Sequence, residues 1–427
     1  MSISMTTNTQ HYNAILVGIN LPHSKWSIQD SMAELKELSI TAGITPQFSL
    51  TQERISPHPK HYIGSGKLTE LDASIRTHRA AIIICDDELT PSQHKYLESK
   101  FQIKVLDRTG LILEIFAKRA QTYEAQLQVE YAQLNYMLPR LTRLWTHLSR
   151  QHGSIGSRGP GETQLETDKR QIRKRMTLIK TKLKKVQSQR QLRRQKRDNV
   201  PVLTCALVGY TNAGKSTLMN QLTQANVLVE DRLFATLDPT SRRAILPNHQ
   251  EIVITDTVGF IQKLPHHLVN AFYSTLEEVT QADIILHVID SSHANIINVI
   301  DTANTIISDL TKTQTAKHPP TLYVFNKWDL IQKPNTTQQQ LSTYNPSVFI
   351  SATHKRTFSS FFDALTQLID RFQKTYEWLV PYSKTGLINV IRKNGCLLSE
   401  SHENDGTKIK ALLTPVQAEK IMNELWN

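Results

Sequence analysis

The feature that most constrains the fold is a glycine-rich loop at residues 203–217, LTCALVGYTNAGKST, which follows an apolar segment. The spacing Gly209-x-x-x-x-Gly214-Lys215-Ser216 is that of a P-loop, whose backbone N–H groups wrap phosphates at a helix N-terminus. We expect Lys215 to contact the β- and γ-phosphates and Ser216 to bind Mg²⁺. The segment therefore predicts an α/β domain built around a nucleotide site.

A second nucleotide motif is DTVGFI, residues 256–261, after an apolar run. We expect Asp256 to reach Mg²⁺ through water and the Gly259 N–H to sense the γ-phosphate. Phe260 stands where many small GTPases carry the glutamine that orients the attacking water. Because a phenyl ring cannot orient water by hydrogen bonding, we expect Phe260 to pack in the switch. A group other than Phe260 would then assist GTP hydrolysis. The alternative, that the protein does not hydrolyse GTP at all, is less favoured.

The base is indicated by NKWD, residues 326–329. A carboxylate at Asp329 can accept from guanine N1–H and from the exocyclic amine. Adenine offers neither donor and would leave the carboxylate unpaired. Asn326 is expected to support the base and Lys327 to cover the ring. The backbone of residues 351–353, SAT, can meet the guanine oxygen.

A threonine that closes on Mg²⁺ is expected between the P-loop and DTVG, and FATLDPT, residues 234–240, holds the candidates. This stretch resembles the FTTL segment of Obg-type GTPases, which aligns Thr236 with the sensing threonine and leaves Thr240 as second choice. The predicted metal ligands are Ser216, Thr236 and, through water, Asp256. The predicted catalytic residues are Lys215, Thr236, Gly259 and Asn212. The predicted GTP-binding residues are Gly209, Tyr210, Thr211, Asn212, Ala213, Gly214, Lys215, Ser216, Thr217, Phe234, Ala235, Thr236, Asp256, Thr257, Val258, Gly259, Asn326, Lys327, Asp329, Ser351, Ala352 and Thr353.

The positive charge of the chain is concentrated in one element. The formal charge is +12, yet residues 169–197 contain fourteen Lys or Arg and no Asp or Glu, so the rest sums to −2. So many like charges on one helix favour a polyanionic partner such as nucleic acid over a solvated helix face. The predicted RNA-binding residues are Lys180, Lys182, Lys184, Lys185 and Arg158.

The 427 residues are too many for one compact domain. Apolar runs alternating with helical patterns predict a small α/β domain over 1–108. Two stripes of apolar residues at helical spacing predict a pair of long, antiparallel, coiled-coil-like helices over 109–199. A glycine-rich loop at 153–168 would join them. The P-loop GTPase domain would span 200–375. A small α+β domain would span 376–427, with strands at 387–391, 396–398 and 409–412 and a helix over 414–426.

Composition places the chain among cytoplasmic proteins. Its three cysteines are far apart in sequence and form neither a zinc spacing nor a disulfide framework. No stretch reaches membrane-spanning length. A second glycine segment, residues 61–67, HYIGSGK, lacks the P-loop spacer and the Ser or Thr after lysine, so a structural or ligand-facing loop fits it better.

The motifs together resemble the HflX family of ribosome-associated GTPases. The resemblance rests on IGSGKLTEL (63–71), SRGPGETQLETDKR (157–170), GYTNAGKST, LFATLDPT, DTVGFI and NKWD, and it covers nearly the whole chain. It implies an enzyme that converts GTP to GDP and phosphate, slowly alone and faster on ribosomes. It also implies a monomer that binds the large ribosomal subunit and separates idle or stalled ribosomes under stress. A GTP-dependent switch in ribosome assembly or RNA maturation is the alternative, and a scaffold that only binds is a third interpretation.

Mg²⁺ is the expected cofactor, and potassium is a second candidate. In several GTPases that lack the glutamine, an asparagine at the position of Asn212 ligates K⁺ beside the phosphates, where the ion would offset transition-state charge. A loop-stabilising role for Asn212 is the alternative.

Overall fold

The computed structural model describes residues 12–141, 160–197, 202–223, 233–234, 236–263, 278–312 and 319–426. The chain forms two units. Unit 1 comprises 1–187 with 232–234 and 261–272, and unit 2 comprises 188–231, 235–260 and 273–427. Two short stretches that lie between the P-loop and residue 273 in sequence therefore belong to unit 1.

Unit 1 contains a four-stranded parallel sheet in the order β2-β1-β3-β4. The strands are β1 (Tyr12–Asn20), β2 (Ile44–Glu53), β3 (Ile82–Cys85) and β4 (Lys104–Asp107). The helices are α1 (Ile28–Thr41), α2 (Ser65–His78), α3 (Pro91–Phe101) and α4 (Arg108–Arg119). All four residues of β3 are buried, as expected for a parallel strand covered on both faces.

Local sequence sets where these helices begin. Thr90 forms a capping box with Gln93, and Pro91 occupies the first turn of α3, where its missing N–H costs nothing. Asp107 caps α4 by accepting from the N–H of Gly110. Helix α4 therefore begins directly at the carboxyl end of β4.

Two long helices follow, α5 (Tyr123–Leu141) and α6 (Pro160–Arg197). They are linked by an ion pair of 2.6 Å between Arg175 Nε and Glu130 Oε1, and the Lys180 ammonium lies over the Tyr131 ring. Ile179, in the middle of the predicted apolar stripe, is fully buried. The predicted helical pair is confirmed, and α6 begins inside the glycine-rich stretch, whose residues 153–159 lie outside the described part.

Unit 2 contains a six-stranded sheet in the order β10-β9-β8-β5-β7-β6, parallel except for the β6–β7 pair. The strands are β5 (Leu203–Gly209), β6 (Thr240–Ile245), β7 (Glu251–Asp256), β8 (Ile284–Asp290), β9 (Thr321–Asn326) and β10 (Ser347–Phe349). The helices are α7 (Lys215–Thr223), α8 (Ile296–Lys312), α9 (Pro334–Gln340) and α10 (Phe358–Asp370). Strands β5, β7 and β9 end at the three nucleotide motifs, so the sheet brings their carboxyl ends to one edge.

The C-terminal part is a small antiparallel sheet, β11-β13-β12, with two helices. Its elements are β11 (Lys374–Pro381), α11 (Gly386–Asn394), β12 (Cys396–Glu403), β13 (Gly406–Leu413) and α12 (Pro415–Trp426). The predicted strand at 387–391 is wrong, because this segment forms α11. Leu387, Ile388 and Ile391 recur at helical spacing and bury one face in the same core as Ile409.

The architecture therefore confirms the predicted fold class of parallel α/β domain, helical pair, P-loop sheet and small α+β domain. The exact domain boundaries stay predictions. Among the described residues, no helix combines the length and apolar character needed to cross a bilayer.

Candidate nucleotide and metal site

The P-loop adopts backbone conformations that its glycines permit. Gly209 and Gly214 have φ angles of +150° and +90°, which L side chains rarely adopt. A Cβ on Gly209 would collide with the carbonyl oxygen of Val288, and one on Gly214 with the Asn326 amide. Asn212, which has φ of +60°, is exposed between them. The loop thus runs closely along its neighbours while Asn212 stays accessible.

The three predicted metal ligands converge on one point. The Ser216 hydroxyl donates to Asp256 Oδ2 at 2.7 Å, and the Thr236 hydroxyl donates to the same oxygen at 2.9 Å. The two hydroxyl oxygens lie 3.2 Å apart. The other oxygen, Asp256 Oδ1, is buried and has no hydrogen-bond partner among the residues that the structure describes. Two hydroxyls and a carboxylate form an oxygen-only donor set, which fits the preference of Mg²⁺.

This convergence distinguishes Thr236 from Thr240, the second choice. The Thr240 hydroxyl donates to the carbonyl of Asp238 at 3.4 Å and opens strand β6. Thr240 pairs with Asp256 only through the β6–β7 register. Thr236 is therefore the better candidate for the sensing threonine, although its role remains a prediction.

The ammonium group of Lys215 points back toward the backbone of the P-loop. Its ammonium donates to the carbonyls of Gly209 at 3.2 Å and Tyr210 at 2.8 Å. Burial lowers the pKa of Lys215 to about 8, and the nearby Asp256 acts in the opposite direction. A phosphate arriving in this loop would replace neutral carbonyl partners with anionic oxygens, which favours the charged ammonium.

Phe260 packs as expected, since its side chain is 2% exposed. Its N–H donates to Gly209 O at 3.0 Å and its carbonyl accepts from the Thr211 N–H at 2.8 Å. These bonds tie DTVGF to the P-loop. A Cβ on Gly259 would lie 2.9 Å from the Cα atom of Thr211, so a glycine here lets this backbone lie close to the P-loop.

The base-recognition motifs are joined by Asn326. Its amide nitrogen donates to Ala213 O and its amide oxygen accepts from the Ala352 N–H, both at 2.8 Å. The side chain is almost fully buried. Asn326 thus connects the P-loop with the SAT segment, and the Ala352 N–H would have to exchange partners before donating to a guanine oxygen.

Asp329 and Lys327 lie at the mouth of the base site. A hydrogen bond from Ser351 lowers the pKa of Asp329, so the carboxylate form needed to accept from guanine is favoured. The Lys327 ammonium pairs with Asp290 Oδ2 at 2.7 Å. Asp290 was not among the predicted residues, although its position at the end of the buried strand β8 could have suggested it.

The remaining predicted residues divide into those within and those outside the described part. Thr257 donates its hydroxyl to Leu207 O at 2.7 Å, and Val258 is buried. On α6, Lys180, Lys184 and Lys185 are exposed and Lys182 is half-buried. Arg158 and Ala235 lie outside the described residues. The GTP and RNA contacts of these groups stay predictions.

Comparison with known proteins covers most of the chain. Residues 29–117 match the family model "GTP-binding GTPase N-terminal", 119–197 match "GTP-binding GTPase Middle Region" and 204–327 match "50S ribosome-binding GTPase". A protein named GTPase HflX from Caldanaerobacter subterraneus subsp. tengcongensis is 44% identical over 395 residues, or 92% of this chain and 90% of that protein. One of the same name from Escherichia coli K12 is 40% identical over 405 residues, covering 94% and 93%.

Among solved structures, a GTP-binding protein from Sulfolobus solfataricus in complex with GDP is 24% identical, with a TM-score of 0.46. The match covers 84% of this chain and 99% of that one.

Proposed function

The chain belongs to the HflX GTPase family, and on this premise we propose that it hydrolyses GTP and acts on the large ribosomal subunit. In this proposal it separates idle or stalled ribosomes under stress, and its slow intrinsic hydrolysis is accelerated by ribosomes. The observation that carries the GTPase part is the meeting of Ser216, Thr236 and Asp256 beside the P-loop. The family model over residues 204–327 supports the ribosomal part.

The residues of the site divide the work of phosphoryl transfer. Ser216, Thr236 and, through water, Asp256 would hold Mg²⁺, which would offset the negative charge of the phosphates when bound. Lys215 would bind the β- and γ-phosphates, and the Gly259 N–H would hold the γ-phosphate in place. Asp329 selects guanine, because an adenine in the same place would leave its carboxylate unpaired.

The buried Phe260 is why we propose dependence on a partner. Its ring is enclosed and its backbone is bonded to the P-loop, so it offers no polar group to the attacking water. The exposed Asn212 is the candidate ligand for a potassium ion that would supply part of the missing charge. The ribosome would supply or order the rest of the site.

A hydrolysis titration tests this dependence. GTP turnover is measured with increasing large subunits, in potassium and in sodium buffers. We expect acceleration by subunits, and a further gain in potassium that Asn212→Ala abolishes. Equal turnover with and without subunits would show that the large subunit does not complete the site. Equal turnover in both salts would leave Asn212 with a loop-stabilising role only.

Sucrose-gradient profiles separate ribosome splitting from the alternative of an assembly switch. Whole ribosomes are incubated with the protein and either GTP or a non-hydrolysable analogue. Splitting with the analogue would mean that binding separates the subunits and that hydrolysis serves release. Intact ribosomes in both conditions would favour the role in ribosome assembly or RNA maturation.

The basic helix is tested by changing Lys180, Lys182, Lys184 and Lys185 together to Gln. We expect weaker ribosome binding and a shallower dependence of the affinity on salt concentration, because fewer counterions are released. The matched control neutralises four exposed lysines elsewhere, Lys36, Lys355, Lys374 and Lys393. If both quadruple variants show the same salt slope, α6 faces solvent on the ribosome.

A further inference from the structure

Unit 1 includes residues from both segments that would sense the γ-phosphate. Leu233 and Phe234 stand just before Thr236, and Ile261 to Lys263 stand just after Gly259 and Phe260. Only one residue separates Phe234 from the predicted metal ligand Thr236. The contacts of Phe234 and of residues 261–263 therefore limit, through the continuous backbone, the positions that Thr236 and Gly259 can adopt.

The segment after DTVGF is held by charged groups of unit 1. The Gln262 N–H donates to Glu34 Oε1 at 3.1 Å, and the Gln262 carbonyl accepts from Arg108 Nη1 at 3.2 Å. The Lys263 ammonium pairs with Asp86 and, at 2.7 Å, with Asp87. The backbone of Gln262 and the side chain of Lys263 are thus both bonded to residues of the N-terminal part of unit 1.

The centre of the cluster, at Arg108 and Asp86, is buried, and the cluster as a whole is close to charge balance. Arg108, whose side chain is 2% exposed, pairs with Glu34 at 2.6 Å and Asp86 at 3.1 Å. Burial by itself raises the pKa of Asp86, but Arg108 and Lys263 outweigh it and hold the pKa below its usual value. Without Lys263, Asp87 would lose its ion pair, and Asp86 would keep only Arg108 as a cationic partner among the described residues. Removing the lysine therefore makes the segment's position costly to keep.

The segment before Thr236 is held by an aromatic contact. Phe234 is 3% exposed and has φ of +57°. Its ring meets the Phe116 ring edge-on, with centroids 4.7 Å apart. Phe116 and Arg108 both belong to helix α4. One helix therefore holds both segments, by an ion cluster at its start and an aromatic pair two turns later.

We propose that Lys263 and Phe116 are positioning residues for the GTP-bound arrangement of the nucleotide site. They act through Gly259 and Thr236, since the Thr236 hydroxyl already meets Ser216 and Asp256, as a threonine closed on Mg²⁺ would. Unit 1 then favours the triphosphate over the diphosphate. This inference rests on the proposed GTPase activity and assigns it a regulator within the chain.

The test compares nucleotide affinities of Lys263→Met and Phe116→Leu with those of the unchanged protein, without ribosomes. The Kd for a non-hydrolysable GTP analogue is expected to rise about three- to tenfold in each variant, the size of typical coupling between sites. The Kd for GDP should stay nearly constant, because the P-loop and base contacts are untouched. The kcat of intrinsic hydrolysis should fall with the analogue affinity, and Lys263→Arg should restore both.

The matched control is Lys104→Met, which breaks a comparable ion pair of unit 1. Lys104 pairs with Glu114 at 3.1 Å, with side chains 34% and 32% exposed, against 26% and 23% for Lys263 and Asp87. This control should leave the ratio of the two affinities unchanged. The Lys263 side chain is partly exposed, so Lys263→Met still tests the proposal if Phe116→Leu disturbs folding.

The positioning role would be overturned if the ratio of the Kd for the GTP analogue to the Kd for GDP were the same in Lys263→Met as in the unchanged protein. Equal weakening of both affinities is one way in which this would happen. A double-mutant cycle of Lys263→Met with Asp87→Asn adds a second criterion, since additive effects on analogue affinity would mean that the pair does not transmit position. Failure of the proposed function would look different, because the unchanged protein would then not bind or hydrolyse GTP.

Discussion

The charge state of Lys215 should make nucleotide affinity fall as pH rises through the pKa of this side chain. Burial lowers the pKa of this ammonium to about 8 in the nucleotide-free protein. Bound phosphates favour the charged form, so the complex keeps Lys215 protonated well above that pH. Binding must therefore take up a proton from solvent whenever Lys215 is neutral beforehand.

The magnitude follows from the fraction of Lys215 that is neutral. With a pKa of about 8, roughly three-quarters of the lysine is neutral at about pH 8.5 and about a tenth at about pH 7. The Kd for GDP should thus rise about fourfold over that interval, and binding at the upper end should take up about three-quarters of a proton. The range stays below that in which guanine N1 loses its proton.

Isothermal titration calorimetry in buffers of different ionisation enthalpy measures this uptake directly. Lys215→Arg is the control, because a guanidinium stays charged throughout. A flat Kd, or no uptake at about pH 8.5, would show that Lys215 is already charged in the empty site.

Stability of the nucleotide-free protein should change in the opposite direction with pH. The unfolded chain binds more protons than the folded one between pH about 8 and the ordinary lysine value, because the folded pKa of Lys215 is the lower one. The contribution of Lys215 to the free energy of unfolding therefore increases as pH rises through that window. Weaker binding at high pH would then not reflect alkaline unfolding caused by this group.

Four further substitutions test the metal and base sites. Thr236→Val should weaken the Mg²⁺ dependence of GTP-analogue affinity while Thr240→Val leaves it intact, and the reverse pattern would assign the role to Thr240. Asp329→Asn should shift preference toward xanthosine triphosphate in competition binding, and an unchanged preference for GTP would refute the contact. Asn326→Ala removes two buried hydrogen bonds of 2.8 Å. Urea denaturation should show a loss of about 2–4 kcal/mol, and an unchanged midpoint would mean that Ala213 and Ala352 find other partners.

Local sequence patterns were sufficient to predict which motifs meet beside the P-loop, because each motif is a strand end followed by a short loop. Gly209, Gly214 and Lys215 carry their geometry in the spacing of the P-loop itself. Parallel strands then bring Asp256 and Asn326 to the same edge of the sheet. The hydrophobic run at 387–391 was misassigned because a short apolar segment fits a strand or a buried helix equally well.

The ion cluster of Lys263 was not predicted, although a signal existed. Asp86 and Asp87 follow the buried strand β3, and Arg108 follows β4. Charged residues directly after buried parallel strands indicate a polar site at that edge. Nothing in the sequence, however, connects Asp87 with a lysine 176 residues later.

The sequence by itself determined the nucleotide chemistry of this protein, its order of domains and the helix that carries the positive charge. These depend on spacing and periodicity along a few neighbouring residues. The sequence already favoured Thr236 over Thr240, but only the tertiary structure showed that the Thr236 hydroxyl meets Asp256 and that unit 1 holds Phe234 and Lys263. Such contacts join residues that are distant in sequence, and a contact of this kind depends on how sheets and helices pack, which no local pattern encodes.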